Sequence, residues 1–546
     1  MGRPSSSKGV KKKPAIATTH CRTQPPHRRL RLAMKPAASP KTNACSMKDE
    51  LADIILQNML KTASTKLPNM NKVLKRVLNE IGVLKIGSMC SGSNITAVMI
   101  ARLTKVLGAG SLREIFTCES DPQKRRWLQF VDRSVGGGQA CCFGDISEMG
   151  NAESPCTTHG NCICCKIPDF ASHDGPLITT CGFSCKNLSK LFSGTAGMSR
   201  DEMLQDILKK GAGSTGETFQ AMLSYLHGKG PPIHVWENVP ELLSPKQSDN
   251  LDYLLGALSK VQYACAVELF QSLEFQIPQR RARVYGVCVR WGSPPLLDQT
   301  RAVALATKII TDAKVFATEK LMDLQNFILP CDSPIVQEHL QAMMDNKVAD
   351  DRIRSMNDVG EPKWRAQMQD LCSKANMSYS TLKVPAELEN SEWFKSLPLR
   401  EQHGLCFWLA SRPDLTFLDL SQMPTRMRPC EEPFVPTLTP GATFMMFGVG
   451  SVPRLMTGHE AMLLQGFPLS LLSKFRDSKV LTEKKQESLF MDMSGNAFTG
   501  SVIAAIIMSA LYNLPECLRN YAARGFCCSQ PAAEAQVSED ELNLVF

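Results

Sequence analysis

The chain has 546 residues, 43% of them hydrophobic and 21% charged, and a net charge of +9 at neutral pH. These proportions suit a globular chain large enough for several domains or one elaborated enzyme, and exclude a wholly disordered or fibrous protein. No run reaches about 18 strictly apolar residues, so no membrane span is expected.

The charge is unevenly spread. Residues 1–48 hold 12 Lys/Arg and no Asp/Glu, whereas the rest carries 50 basic against 53 acidic groups. The body is therefore not a basic nucleic-acid glove by composition, and a DNA-binding surface must come from local arrangement. Residues 1–47 read as a basic flexible arm. Lys11-Lys12-Lys13-Pro14 and Arg28-Arg29-Leu30-Arg31 have the character of nuclear import signals or phosphate-binding patches, and the nucleus is the expected location. The same acid-free segment also suits an organelle transit peptide, and a solvated tail without an address is the plain alternative. The 21 cysteines are odd in number, eight of them between Cys141 and Cys185, with no apolar signal-peptide core. A reduced intracellular compartment is expected rather than a disulfide scaffold.

Leu51, Ile54, Ile55 and Leu60, then Val73, Leu74, Val77 and Leu78, have helical spacing over residues 48–80. Short apolar runs then alternate with helical patterns. Val83–Met89, Glu114–Cys118, Leu177–Thr180, Ile233–Trp236, Cys265–Leu269 and Val284–Val289 are the predicted strands of an open α/β sheet with parallel strands. Ligands of such sheets bind beyond the carboxyl ends of the strands. From about 295 to 440 the alternation fades, which predicts a second, smaller domain. Residues 441–516 look ordered again, and Ala497–Leu514 reads as a buried helix after a loop. Residues 517–546 are read as a C-terminal tail, acidic from Ser529.

Chemistry gathers at the predicted strand ends. Ser88-Met89-Cys90-Ser91-Gly92-Ser93-Asn94 is a turn of small residues ahead of a helix, which lets a cofactor approach the backbone. Glu119, in Cys118-Glu119-Ser120-Asp121, is placed to accept from ribose hydroxyls, and Asp145, in Phe143-Gly144-Asp145-Ile146, could read an adenine amino group. Each acid taken singly is equally a helix cap. Cys185 follows the fourth run near a helix start, where dipole and cations favour thiolate. Glu237 follows the fifth run, and Arg281 and Arg283 alternate before the last, pointing to one side if extended.

This ordered set resembles the cytosine-5 DNA methyltransferase family, from about Leu84 to Ala505. The resemblance implies a doubly wound, mostly parallel sheet of the class I S-adenosylmethionine-dependent fold with a smaller target-recognition domain at 295–440. The catalytic domain would span 48–294, and 441–516 would return to complete it. S-Adenosyl-L-methionine is the implied cofactor, met by Cys90, Ser91, Gly92, Glu119, Ser120, Asp145, Ile146, Phe219 (in Gly216-Glu217-Thr218-Phe219, against the adenine), Asn496 and Ala497. The catalytic residues implied are Cys185, Glu237 of Glu237-Asn238-Val239, and Arg281 and Arg283 of the Gln-x-Arg-x-Arg that begins at Gln279. Pro436-Thr437-Leu438-Thr439, Glu460 with Leu464-Gln465-Gly466-Phe467-Pro468, and Gly495-Asn496-Ala497 match the late motifs. DNA is the implied substrate, its cytosine flipped from the duplex. An RNA cytosine-5 methyltransferase and an inactive DNA-binding relative are the alternatives.

Five positions depart from the family pattern. Ser184-Cys185-Lys186 stands for Pro-Cys-Gln, Asn94 for a second glycine, Ser88 for an acid and Leu463 for a basic residue. Loss of the proline would loosen the nucleophile loop, and Lys186 would favour thiolate. Cys156, His159, Cys162, Cys164 and Cys165 have spacings that can hold zinc. The leading reading is nonetheless reduced surface-loop thiols, with no metal. Trp364, Trp393, Phe394, Phe407 and Trp408 read as small-domain core rather than base-stacking residues, and Arg400-Glu401 as structural.

Overall fold

The computed structural model describes residues 44–138, 140–149, 155–160, 175–189, 207–292, 297–318, 320–354, 363–412, 414–447 and 453–524, with the backbone alone at 44–46, 346–354, 387 and 524. The basic runs of the N-terminal arm, the acidic tail, and Cys162, Cys164 and Cys165 lie outside the described residues.

Helices α1 (Ala44–Ser64) and α2 (Met70–Ile81) come first. Leu74, Val77, Leu78 and Ile81 form the buried stripe of α2, at the spacing read from the sequence. Seven apolar segments then build one sheet: β1 (Val83–Met89), β2 (Ser111–Cys118), β3 (Cys141–Phe143), β4 (Ile178–Cys181), β5 (Ile233–Asn238), β6 (Tyr263–Gln271) and β7 (Ala282–Arg290). Their spatial order is β3-β2-β1-β4-β5-β7-β6. Every pairing is parallel except those of β7, which runs antiparallel to both β5 and β6. Too few residues separate Gln271 from Ala282 for a parallel crossover, so the chain reverses.

Neighbouring strand residues bury on opposite faces. Val235 and Val287 belong to one apolar cluster, Trp236 and Cys288 to the other. Helix α3 (Ile95–Leu107) feeds the first cluster, and the helix Gly213–Lys229 feeds the second. The result is a doubly wound, mostly parallel α/β sheet, as the resemblance implies.

Several features differ from the sequence expectation. The strands Phe444–Met446 and Arg454–Leu455 lie in a separate small sheet rather than returning to the large one, because Met445 and Leu455 bury in its core. The expected tail begins with a helix, Glu516–Arg524, that buries Leu518 and Tyr521. Strand β3 is three residues long, too short to leave a periodic signal. The helix Gln299–Ala313 packs on β6 and β7 through Ala302, Ala306 and Ile309, and the Ser509 hydroxyl donates to the Ile309 carbonyl at 2.7 Å. The chain therefore stays with the large sheet well past residue 295, where alternation fades because a long helix follows rather than because a domain ends.

The helix Gly500–Tyr512 is buried over Gly500–Leu511, which explains its lack of charge. A second, antiparallel sheet has the order β11-β10-β8-β9, from β8 (Phe417–Asp419), β9 (Pro429–Cys430), β10 (Phe444–Met446) and β11 (Arg454–Leu455). It has its own core of Leu388, Trp393, Phe394, Leu405, Leu418 and Met445. Trp364 and Trp408 pack beside Phe407 in a satellite cluster, and Arg400 pairs with the buried Glu401 at 3.0 Å.

One buried carboxyl is held under α3. Glu114 is fully buried on β2, accepts from Asn94 Nδ2 at 2.9 and 2.8 Å, and burial, with Asp132 nearby, pushes its pKa up to about 8. A carboxyl raised on folding binds a proton the unfolded chain has lost, so its contribution to stability falls as pH rises from the ordinary carboxylate value towards 8. Glu114→Gln, which is neutral throughout, should raise the apparent Tm by roughly 2 °C or more at pH 8.5 and change it little at pH 4.5. Thermal unfolding of both proteins at the two pH values checks this.

Candidate active site

The loop after β1 is shaped by three left-handed residues. Cys90, Gly92 and Asn94 have φ of 49°, 51° and 56°. Asparagine is among the few side chains that tolerate this region, which is why it can stand where a glycine is usual. Its amide is spent on Glu114, so the departure at Asn94 secures the loop to β2. The Gly92 N–H donates to Glu119 Oε2 at 3.0 Å, and the Asp121 N–H to Oε1 at 3.1 Å. Glu119, at the end of β2, is thus held against the loop, with exposed Ser120 beside it. Asp145 is exposed and caps the turn at Ile146–Glu148 by accepting from the Ser147 N–H at 2.8 Å.

Ser88, Cys90, Ser91, Asn94, Asn496 and Ala497 share the lining of one crevice, closed on its far side by Phe498. Two carboxylates at adjacent strand ends, with the β1 loop backbone against the Glu119 side, suit an adenosine-bearing cofactor. Phe219 is not part of that crevice. Its ring is fully buried and packs on Phe183 and Tyr253 at 5.6 and 6.2 Å, which leaves no face for an adenine and corrects the sequence expectation. Its packing supports the loop that carries Cys185.

That loop leaves β4 at Cys181, which pairs with Trp236 on β5. Glu237, the next residue on β5, is therefore set beside it. Trp236 sits against Gly286 of β7, where a Cβ would lie 2.1 Å from the indole. The Asn238 amide donates to the Phe183 carbonyl at 3.1 Å, tying the end of β5 to the loop. The Ser184 N–H donates to Thr218 Oγ1 and its hydroxyl pairs with that of Ser214, both at 3.0 Å. Asn187 exchanges bonds with Thr215 at 3.1 and 3.3 Å. The expected loosening without proline is corrected here: hydroxyls of the helix Gly213–Lys229 restrain the loop that the ring would have stiffened. Only the pattern Ser214-Thr215-x-x-Thr218 signals this in the sequence.

The two arginines divide. Arg283 Nε lies 3.0 Å from Glu237 Oε1, both nearly buried. Arg281 is fully buried and donates to the carbonyls of Ala497, Gly495 and Leu438 at 2.5, 3.0 and 3.4 Å. Its hydrogen bonds hold the Gly495–Ala497 turn and Leu438, so the catalytic role that the resemblance implied for it gives way to a positioning role. Gln279 is equally buried and accepts from Gln465 Nε2 at 3.1 Å. Thr437 Oγ1 donates to the Arg280 carbonyl at 2.6 Å. Glu460 is buried, in a capping box with Thr457 and paired with Arg454 at 2.6 Å. Leu463 is core.

The electrostatics of the reacting pair run against the sequence expectation. Burial, then the Glu237 carboxylate, pushes the Cys185 thiol up, and Arg283 and Arg281 only partly oppose this. Lys186 is exposed and contributes none of these causes. Burial also raises Glu237, with Arg283 and Arg281 pulling the other way. Arg281 itself is pushed down to about 9, by burial and then by Arg283. The resting pair thus shares little charge beyond what the arginines can hold.

The model of C-5 cytosine-specific DNA methylases matches residues 181–511, more than half of the chain. The chain belongs to that family. DNA (cytosine-5-)-methyltransferase DMT5 of Cryptococcus neoformans var. grubii is 22% identical over 498 residues, covering 85% of this chain and 18% of that protein. Type II methyltransferase M.NlaX of Neisseria lactamica is 29% identical over 216 residues, 38% of this chain and 56% of that protein. The chain thus spans less than two thirds of either relative's length. Among solved structures, the S. pombe Dnmt2 methyltransferase is 13% identical, covers 78% of this chain and 97% of its own, and has a TM-score of 0.36.

Within that family the chain departs in the loop that carries Cys185, where hydroxyls stand in place of the proline. The family match opens at Cys181, so β1 to β3 and their acids stand on the fold. Glu237→Gln should act oppositely on two readouts. Removing the carboxylate lowers the Cys185 pKa, so alkylation of Cys185 by iodoacetamide at pH 8 should quicken. Methyl transfer should fall by about 10²-fold, the usual loss when a group that stabilises developing charge is removed. Peptide mapping of the alkylated thiol alongside a transfer assay checks both.

Proposed function

We propose that this chain is a DNA cytosine-5 methyltransferase that uses S-adenosylmethionine and acts through a covalent adduct of Cys185 with C6 of a flipped cytosine. The observation that carries this reading is the meeting of Cys185, Glu237 and Arg283 at adjoining strand ends, beside a crevice walled by the β1 loop and Asn496–Phe498.

Cytosine C5 is a poor nucleophile until a group adds to C6. Cys185 Sγ supplies that electron pair. Because burial and Glu237 hold the thiol neutral, its proton must pass to water as the cytosine arrives and Sγ bonds C6. Glu237, held by Arg283, is suited to contact ring N3 and the amino group and so stabilise charge that builds on the ring. Arg283 holds the Glu237 carboxyl in place, and its charge favours thiolate on Cys185. The bound cofactor supplies an electrophilic methyl group to C5. Removal of the C5 proton by a base, through water, then frees Sγ by β-elimination. Glu119, Asp145 and the Gly92 backbone are the groups proposed to hold ribose and adenine, with Cys90, Ser91, Ser120, Ile146, Asn496 and Ala497 around them. The target carbon is unreachable in a stacked duplex, so base flipping belongs to the proposal. Residues from about 330 to 447, with their own small core, are proposed for target recognition. A nuclear location is proposed from the basic arm alone.

Labelled methyl transfer to unmethylated duplex DNA, with transfer RNA and Cys185→Ser run in parallel, tests the reading. DNA labelling by the native chain that falls at least about 10³-fold in the variant is expected. Labelling of RNA alone would replace DNA as substrate, and cofactor binding without transfer to either would favour an inactive relative.

A further inference from the structure

On the edge of the sheet opposite the proposed chemistry, a second cluster of reactive side chains converges. Cys141 opens β3, and Cys156 and His159 lie on the turn at 155–160. His159 Nδ1 lies 3.7 Å from Cys141 Sγ and 3.5 Å from Cys156 Sγ, and the three donor atoms lie within 4.8 Å of one another. Both cysteines are buried and neither is in a disulfide, while His159 is exposed. Cys156 is therefore not the surface thiol expected from the sequence, and Cys141, fifteen positions earlier, is a partner its spacing did not suggest.

The surrounding backbone fixes this arrangement. Cys156 bridges to Phe143 and to Gly160. The Thr157 N–H and hydroxyl both donate to the Cys142 carbonyl, at 2.7 and 2.8 Å. Gly160, at φ +68°, closes the turn with its N–H on the Cys156 carbonyl at 2.9 Å. Gln129 on helix α4 (Pro122–Val131) donates to Thr158 Oγ1 at 3.3 Å.

Two sulfurs around one imidazole nitrogen have the form of a metal centre. Tetrahedral zinc, with Zn–S of about 2.3 Å and Zn–N of about 2.0 Å, sets sulfur and nitrogen ligands roughly 3.5 Å apart. The observed separations of 3.5 and 3.7 Å are at that value. We propose that Cys141, Cys156 and His159 bind a zinc ion through two thiolates and Nδ1. The fourth position lies on the solvent side, where His159 is exposed. Three strand spacings, roughly 14 Å, separate β3 from β4, so the ion would not reach the proposed nucleophile. It would instead pin the edge strand beneath Asp145, four residues beyond Cys141.

Metal analysis of the full chain, purified without chelator, should find close to one zinc per chain. Cys156→Ser and His159→Ala should lose it, and Cys185→Ser should keep it. Because His159 is exposed, its variant should fold even if a cysteine variant does not. The chain loaded with Co2+ in place of zinc should show a thiolate-to-cobalt charge-transfer band that weakens in Cys141→Ser and Cys156→Ser. A native chain that neither carries zinc nor takes up Co2+ would overturn the proposal. So would zinc retained by both Cys156→Ser and His159→Ala, or a Cys141–Cys156 disulfide in the unreduced peptide map.

Discussion

The buried guanidinium of Arg281 is the contact on which the geometry of the site depends. It bonds the carbonyls of Gly495, Ala497 and Leu438, which come from segments more than 150 residues away in the chain. Those segments bring Asn496 and Ala497 to the β1 loop and set Pro440 against Gly495, where a Cβ would lie 2.3 Å from the proline nitrogen. The Gln465 amide bonded to Gln279 Oε1 repeats this tie one step along. A charge without water costs several kcal/mol unless it is hydrogen-bonded, so Arg281 holds these carbonyls firmly. The Asn496–Ala497 wall of the crevice is held in place by it.

The second constraint is electrostatic. Cys185 and Glu237 are crowded at adjoining strand ends with little water, and burial raises both. Arg283 keeps that arrangement from being purely repulsive. In the proposed reaction this places the proton with the thiol until a cytosine arrives, which limits unproductive oxidation or alkylation of a free thiolate.

The fold and much of the site were legible because strand-end chemistry survives without context. Val83–Met89 is apolar and ends in a small-residue turn, and Glu119, Asp145, Cys185 and Glu237 each follow an apolar segment. What was hidden is tertiary. Arg281 and Arg283 look alike in sequence, and only burial separates a carbonyl clamp from a partner of Glu237. Ser184 looked like a loss, because its hydroxyl partners sit 30 and more residues onward. Phe219 sits on a helix whose buried face has weak periodicity, so nothing local distinguished core from cofactor wall. Cys141 was invisible as a ligand because β3 is too short to signal that it folds back beside Cys156.

The central claim is that Cys185 forms the bond to cytosine C6. Duplex DNA with 5-fluorocytosine at the target position offers a C5 substituent that a base cannot remove, so the adduct cannot resolve by β-elimination. Intact-mass analysis under denaturing conditions, with S-adenosylmethionine present, should show the chain joined to one DNA strand, and peptide mapping should find the link at Cys185. Methyl transfer to ordinary DNA without any such adduct, or an adduct on another cysteine, would contradict the account.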